Sequence, residues 1–147
     1  MKLICLVKFV HDPDSPNYDT VFNTDSNRRA DNNAGMILNP DDVCALAFAL
    51  KMKSCTPDCF IEVVSMGALS VRPCMEALIR LHIDSATLIV DPVFEGSDRI
   101  VTRELLSRSI PKRSFDCLLT GSHSLDSGAS CVPAHAADIR ESNHRLG

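Results

Sequence analysis

The chain predicts an α/β fold: a parallel β-sheet with helices on both faces. Four short apolar runs, at residues 2–9, 60–65, 86–91 and 115–120, have the length of strands and the near-continuous apolar character that burial on both faces requires. Segments with helical period lie between them. Strands that alternate with helices build right-handed βαβ units, and in such sheets a ligand sits beyond the carboxyl ends of the strands, where the order of connection reverses.

The elements follow in order. "KLICLVKF" is the first strand, and a long polar stretch, residues 10–38, leaves its carboxyl end. A connection of that length is a functional loop, a small hairpin excursion or a locally mobile stretch, and Val21, Phe22, Met36 and Ile37 are expected as the two arms of such a hairpin. "NPDDVCALAFALKMKS" then carries the signals of a helix start. Asn39 is placed as the N-cap, Pro40 at the first helical position, and Asp41 and Asp42 against the positive end of the dipole. Val43, Leu46, Ala47 and Leu50 are expected on its inward face. After the strand "FIEVVS", the segment "SVRPCMEALIRLH" places Val71, Met75, Leu78 and Ile79 on one stripe, with Pro73 early enough to be tolerated and His82 as a cap of the C-terminal end. "ATLIVD" is the third strand. A third helix, "SDRIVTRELLSRSIP", is expected from Ser97 to Pro111, with Ile100, Val101 and Leu105 inward, ahead of the fourth strand, "FDCLLT".

With 147 residues, 45% apolar and 23% charged, the chain suits one domain over residues 1–147. A net charge of −4 without a basic stripe argues against nucleic acid. No apolar run approaches the roughly 20 residues of a membrane span, and no signal-peptide pattern is present. Seven cysteines, an odd number with four in apolar-periodic segments, read as small hydrophobes in a reducing compartment. "CTPDC" has no second Cys/His pair at ligand spacing, so no metal site is expected there.

Chemistry concentrates in "FDCLLTGSHSLDSGASCVP", residues 115–133, where a buried strand runs into a loop of Ser, Asp, Gly and His. Neither a GxGxxG nor a P-loop pattern occurs. Ser122, Ser124, Ser127 and Ser130 offer hydroxyls, Gly121 and Gly128 allow close backbone approach, and a helix start near Ser130 would present free N–H groups. On composition alone the loop is either a hydroxyl-and-amide cradle for a phosphate or a solvated surface loop. "SHSLD" holds the residue types of a nucleophilic triad, but adjacency in sequence is poor evidence for one, and no catalytic residue is assigned.

The motifs together resemble the electron transfer flavoprotein β subunit over roughly residues 1–137. "LICLVKFVHDP" opens the resemblance. "MILNPDDVCALAFALKMK" matches the family's Asn-Pro-x-Asp/Glu helix start, "VVSMGA" its Val-Ser-x-Gly-Pro, and "ALIRLHIDSATLIVD" its Ala-Leu-Ala-Met-Gly-Ala-Asp. "FDCLLTGSHSLDSGASCV" matches its Asp-Leu-Ile-Leu-x-Gly loop. The resemblance implies a Rossmann-like, adenine-nucleotide-binding fold and an electron carrier rather than a catalyst with its own side-chain chemistry. It implies a bound AMP, or FAD with NADH as donor in a bifurcating system. It also implies a heterodimer with an FAD-holding α subunit, and contact with an acyl-CoA dehydrogenase. The implied nucleotide site comprises Leu6, Asn39, Pro40, Asp41, Asp42, Met66, Gly121, Ser122, His123, Ser124, Asp126, Ser127, Gly128, Ser130, Cys131 and Val132.

The loop departs from the family pattern. Ser122 and His123 stand in place of a Lys/Arg-Gln pair, Gly128 where a second Asp is common, Cys131 in place of Gln and Pro133 in place of Gly, while Asp126 keeps the acidic character. Family members also run longer, and residues 137–147 lose the helical period and are expected as a non-native or frayed tail. A stand-alone nucleotide sensor of universal-stress type, whose Gly-rich phosphate motif is missing here, and a remnant without ligand are the competing readings. A strand that begins at the second residue leaves no room for a transit peptide, so a cytoplasmic location is expected.

Overall fold

A computed structural model describes residues 1–15, 22–23, 28–29, 35–90, 110 and 114–125. Its central sheet holds four parallel strands: β1 (Lys2–Val7), β6 (Phe60–Met66), β7 (Ser85–Ile89) and β8 (Cys117–Thr120), in the order β7-β6-β1-β8. Helix α1 (Pro40–Cys55) links β1 to β6, and a 3₁₀ turn (Leu69–Val71) with helix α2 (Arg72–Ile79) links β6 to β7. The chain therefore steps outward on one side of β1 and returns to its other side with β8. The order of connection reverses between β1 and β8, the switch point at which an open α/β sheet offers its crevice.

Side-chain alternation builds two apolar layers. Leu3, Cys5, Val7, Ile61 and Val63 pack with Leu46 and Ala49 of α1 and with Val71, Met75 and Leu78 of the α2 region. The alternate residues Ile4, Leu6 and Val64 face the other way, against Ile110, Phe115 and Leu118. Helices α1 and α2 thus cover one face; apart from Ile110, the third helix expected over 97–111, with Ile100, Val101 and Leu105, lies outside the described residues. Near-complete burial of Ile4, Cys5, Ile61 and Val63, at 0% exposure, is what continuous apolar strands demand. Lys2 and Glu62 are the charged residues within these strands, and they pair, with Lys2 Nζ 2.9 Å from Glu62 Oε2.

Five expectations need correction. Phe22 does not pair with Met36 or Ile37, and Val21 lies outside the described residues. Strand β3 (Phe22–Asn23) pairs with β4 (Arg28–Arg29), while β5 (Met36–Leu38) runs antiparallel to β2 (Phe9–His11) and returns the chain to the end of β1. Apolar runs alone carry no register, and here the return to β1 decides the partner. The first strand is likewise split at Lys8, whose main chain turns aside to meet α1: its N–H donates to Asp42 Oδ2 at 2.8 Å and its carbonyl accepts Asn39 N–H at 2.8 Å.

On α1 the buried residues are Asp42, Leu46 and Ala49, whereas Val43 is 47% exposed and Ala47 faces solvent. The seating of Asp42 over the strand ends sets this rotation. On α2, Val71, Met75 and Leu78 are buried as expected, but Ile79 is 48% exposed because the helix ends there. His82 lies beyond that end with φ of 64°, outside the helix; its carbonyl accepts Lys53 Nζ at 2.9 Å, tying the turn before β7 to the end of α1.

Candidate functional site

The turn Asn39-Pro40-Asp41-Asp42 stands at the switch point and holds residues 121–125 through every polar side chain it has. Asn39, 2% exposed, opens α1 with its carbonyl, which accepts the N–H groups of Asp42 and Val43. Its side chain makes no capping bond. The amide instead bridges to the loop: Nδ2 donates to the His123 carbonyl at 2.7 Å and Oδ1 accepts Leu125 N–H at 2.9 Å. This corrects the N-cap expectation. Asn39 occupies the cap position, but the loop outcompetes the helix for its side chain.

Asp42 turns inward from the same turn and joins the ends of two strands. Oδ2 accepts Lys8 N–H, just past β1, and Oδ1 accepts Gly121 N–H, just past β8, at 2.9 Å. Burial pushes its carboxyl above the usual carboxylate range, and these two amides oppose that rise only in part. Gly121 fits only without a side chain: a Cβ there would overlap the Asp42 carboxylate and lie 2.8 Å from the Asp41 carbonyl carbon.

Asp41, the next carboxylate, is half-exposed and faces the loop. Its Oδ2 accepts the Ser122 hydroxyl at 2.6 Å and His123 N–H at 3.0 Å. The hydroxyl first, and then the amide, hold Asp41 below the usual carboxylate range. His123 Nδ1 lies 2.8 Å from Ser122 Oγ and 3.6 Å from Asp41 Oδ2. The Ser122 hydroxyl donates to Asp41, which leaves the imidazole unplaced as its base, and among the described residues the carboxylate near His123 is that same Asp41. The trio forms a latch, not a nucleophile with its base.

The remaining expected site residues fall in three groups. Leu6 lies at the carboxyl end of β1 with its side chain in the second apolar layer, 4% exposed. Met66 is half-buried at the end of β6, Pro40 is exposed at the start of α1, and Ser124 lies in the latched loop. Asp126, Ser127, Gly128, Ser130, Cys131 and Val132 lie outside the described residues.

Two neighbours escaped the sequence reading. One is Lys8, whose backbone, not its side chain, meets Asp42. The other is Ser65, 1% exposed at the end of β6 and opposite Val7, whose hydroxyl makes no hydrogen bond. A Ser near the end of a buried apolar run was the available signal. Among the described residues, no three His, Cys, Asp or Glu side chains are placed to hold a metal ion. Cys59 is buried in the core while Cys55 is exposed. No helix among the described residues is long and apolar enough to cross a membrane.

Comparison with known proteins matches residues 29–140 to the electron transfer flavoprotein domain. The chain is 27% identical over 138 residues to the electron transfer flavoprotein subunit beta of Thermoanaerobacterium thermosaccharolyticum, covering 94% of this chain and 51% of that protein. It is 29% identical over 139 residues to the subunit beta of Megasphaera elsdenii, covering 90% of this chain and 50% of that one. To a subunit of the caffeyl-CoA reductase–Etf complex of Acetobacterium woodii it is 31% identical over 102 residues, 69% of this chain and 39% of that subunit. The chain spans about half, or less, of the length of these relatives.

Proposed function

Because the chain belongs to the electron transfer flavoprotein domain family, we propose that it acts as a β-subunit-type electron-transfer module in the cytoplasm. In this reading it holds an adenine nucleotide, AMP or FAD, beyond the carboxyl ends of β1, β6 and β8. It pairs with an FAD-holding α-type subunit and passes electrons toward a partner such as an acyl-CoA dehydrogenase. NADH is the donor where the bound nucleotide is a flavin.

The observation that carries this reading is the lattice between the Asn39–Asp42 turn and residues 121–125, which fixes a polar loop over the switch point. The residues present fit a nucleoside. The Ser65 hydroxyl, buried and unsatisfied at the end of β6, is the kind of group that a ligand or an ordered water completes. Ser122, His123 and Ser124 add hydroxyl, imidazole and amide groups able to meet ribose and the edge of a base. Asp41 and Asp42 oppose a phosphate at the start of α1, because two fixed negative charges outweigh the partial positive charge of a helix end. In this reading the phosphate is assigned to Ser127 and Ser130, which lie outside the described residues.

A flavin, wherever it is bound, supplies the redox chemistry. In this reading the chain's own residues bind, orient and exclude water, and none is assigned a bond-making step.

The test is release of the nucleotide by acid from the purified chain, with quantification by mass spectrometry and absorbance. AMP near one equivalent per chain, or AMP uptake on titration, supports the structural-nucleotide form. FAD supports the bifurcating form. A supernatant without nucleotide, together with no binding of AMP or FAD on titration, would overturn the proposal.

A further inference from the structure

Helix α1 is apolar on the side turned away from the sheet as well as on the side that packs against it. Val43 is 47% and Phe48 55% exposed, and Cys44 and Ala47 complete the same outward strip. A helix that is apolar all round is ordinarily covered all round, and an exposed contiguous apolar strip marks a contact surface. This strip has a charge at each end. Asp41 stands at the N-terminal end with 42% of its side chain exposed, and Lys51 stands exposed at the other. At 1.5 Å per residue they are about 15 Å apart along the axis.

We infer that the outward face of α1 is the contact surface for a second copy of this chain, joined as an antiparallel α1–α1 pair about a two-fold axis beside Ala47. A two-fold interface must be complementary to itself. Antiparallel packing brings Asp41 of each copy toward Lys51 of the other, whereas parallel packing would set like charges together. Ala47, near the midpoint, has the smallest side chain of the strip and lets the helices approach, while Phe48 covers the Val43–Cys44 turn of the second copy. One helix pair is small beside the roughly 1,200–2,000 Å² of a stable interface, so the dimer is a concentration-dependent one. Apart from Asp41, which also accepts from Ser122 and His123, the surface lies outside the switch-point lattice, and the inference does not depend on nucleotide binding.

Sedimentation velocity of the full chain under reducing conditions, from micromolar to several hundred micromolar, tests it. The expected result is a monomer–dimer equilibrium that Phe48→Glu weakens at least tenfold and that Lys51→Glu or added salt also weakens, with circular dichroism showing folded variants. In a Cys44→Ala, Cys55→Ser background, Ala47→Cys should form a disulfide between copies on oxidation, as a residue on the axis must. A wild-type chain that is monomeric throughout, a dimer indifferent to Phe48→Glu, or no cross-link through position 47 would each overturn the inference. Association only with a different polypeptide would do the same.

Discussion

Gly121 N–H donates to Asp42 Oδ1 at 2.9 Å, and the glycine's bare Cα rests against the Asp41–Asp42 backbone so closely that no side chain fits between them. Through this contact the end of β8 is registered against the start of α1. The same carboxylate holds the end of β1 by way of Lys8, so one side chain closes the switch point from both sides.

Gly121→Ala should therefore destabilise the fold by about 1–3 kcal/mol, since the atoms in its way are backbone and a buried carboxylate and cannot step aside cheaply. Gly35, around which an added Cβ meets nothing within 4 Å, is the control, and its alanine variant should unfold at nearly the wild-type denaturant midpoint. Equal midpoints for the two variants would show that the Asp42–Gly121 contact is not close in solution.

Asp42 and Asp41 should shape the acid limb of stability with opposite signs. Burial raises Asp42, so the folded state binds its proton more readily than the unfolded one. Its contribution is greatest below the ordinary value of 3.8 and is lost as pH rises through the raised one. Hydrogen bonds from Ser122 and His123 lower Asp41, so its contribution is present above 3.8 and is lost as pH falls through the lowered value. Melting temperatures measured between about pH 3 and 7 should show Asp42→Asn and Asp41→Asn differing from wild type with opposite slopes. Parallel curves would count against these environments.

Asn39 separates capping from bridging. Serine is as good an N-cap as asparagine, but it cannot reach both the His123 carbonyl and the Leu125 amide. Asn39→Ser should therefore fail to rescue the loss seen with Asn39→Ala, about 1–2 kcal/mol, and both should speed hydrogen exchange at Leu125 N–H. Full rescue by serine would return Asn39 to an ordinary capping role.

These cases also show where the sequence was readable. Asn-Pro-Asp-Asp announced the start of α1, and the apolar runs located all four strands of the sheet, because local chain stiffness and burial on both faces leave marks within a few residues. The facing of α1 left no such mark. With Val43, Ala47 and Phe48 outward and Leu46 and Ala49 inward, periodicity does not choose a side, and the deciding residue is a buried aspartate that composition assigns to solvent. Met36 and Ile37 were legible as a strand but not as the partner of Phe9–His11, since pairing across such a loop is a property of the assembled chain. Loop 121–125 was singled out by its place after a buried strand. Its partners were hidden because Gly121 and His123 are engaged through backbone groups that every residue type possesses.

Thiol chemistry offers a last check on the core itself. Cys5 lies in the middle of β1 at 0% exposure, and burial, joined by the neighbouring Cys117 and Cys59, pushes its thiol up to about 12. The thiolate is the species that reacts, so Cys5 has neither access nor nucleophile near neutral pH. Cys44 and Cys55 are exposed on α1 and lack that protection. Brief alkylation of the native chain with iodoacetamide, followed by peptide mass spectrometry, should modify Cys44 and Cys55 while leaving Cys5 and Cys59 intact, and all four should react after unfolding. Modification of Cys5 at the rate of Cys44 in the native chain would mean that β1 is not the buried centre of this sheet.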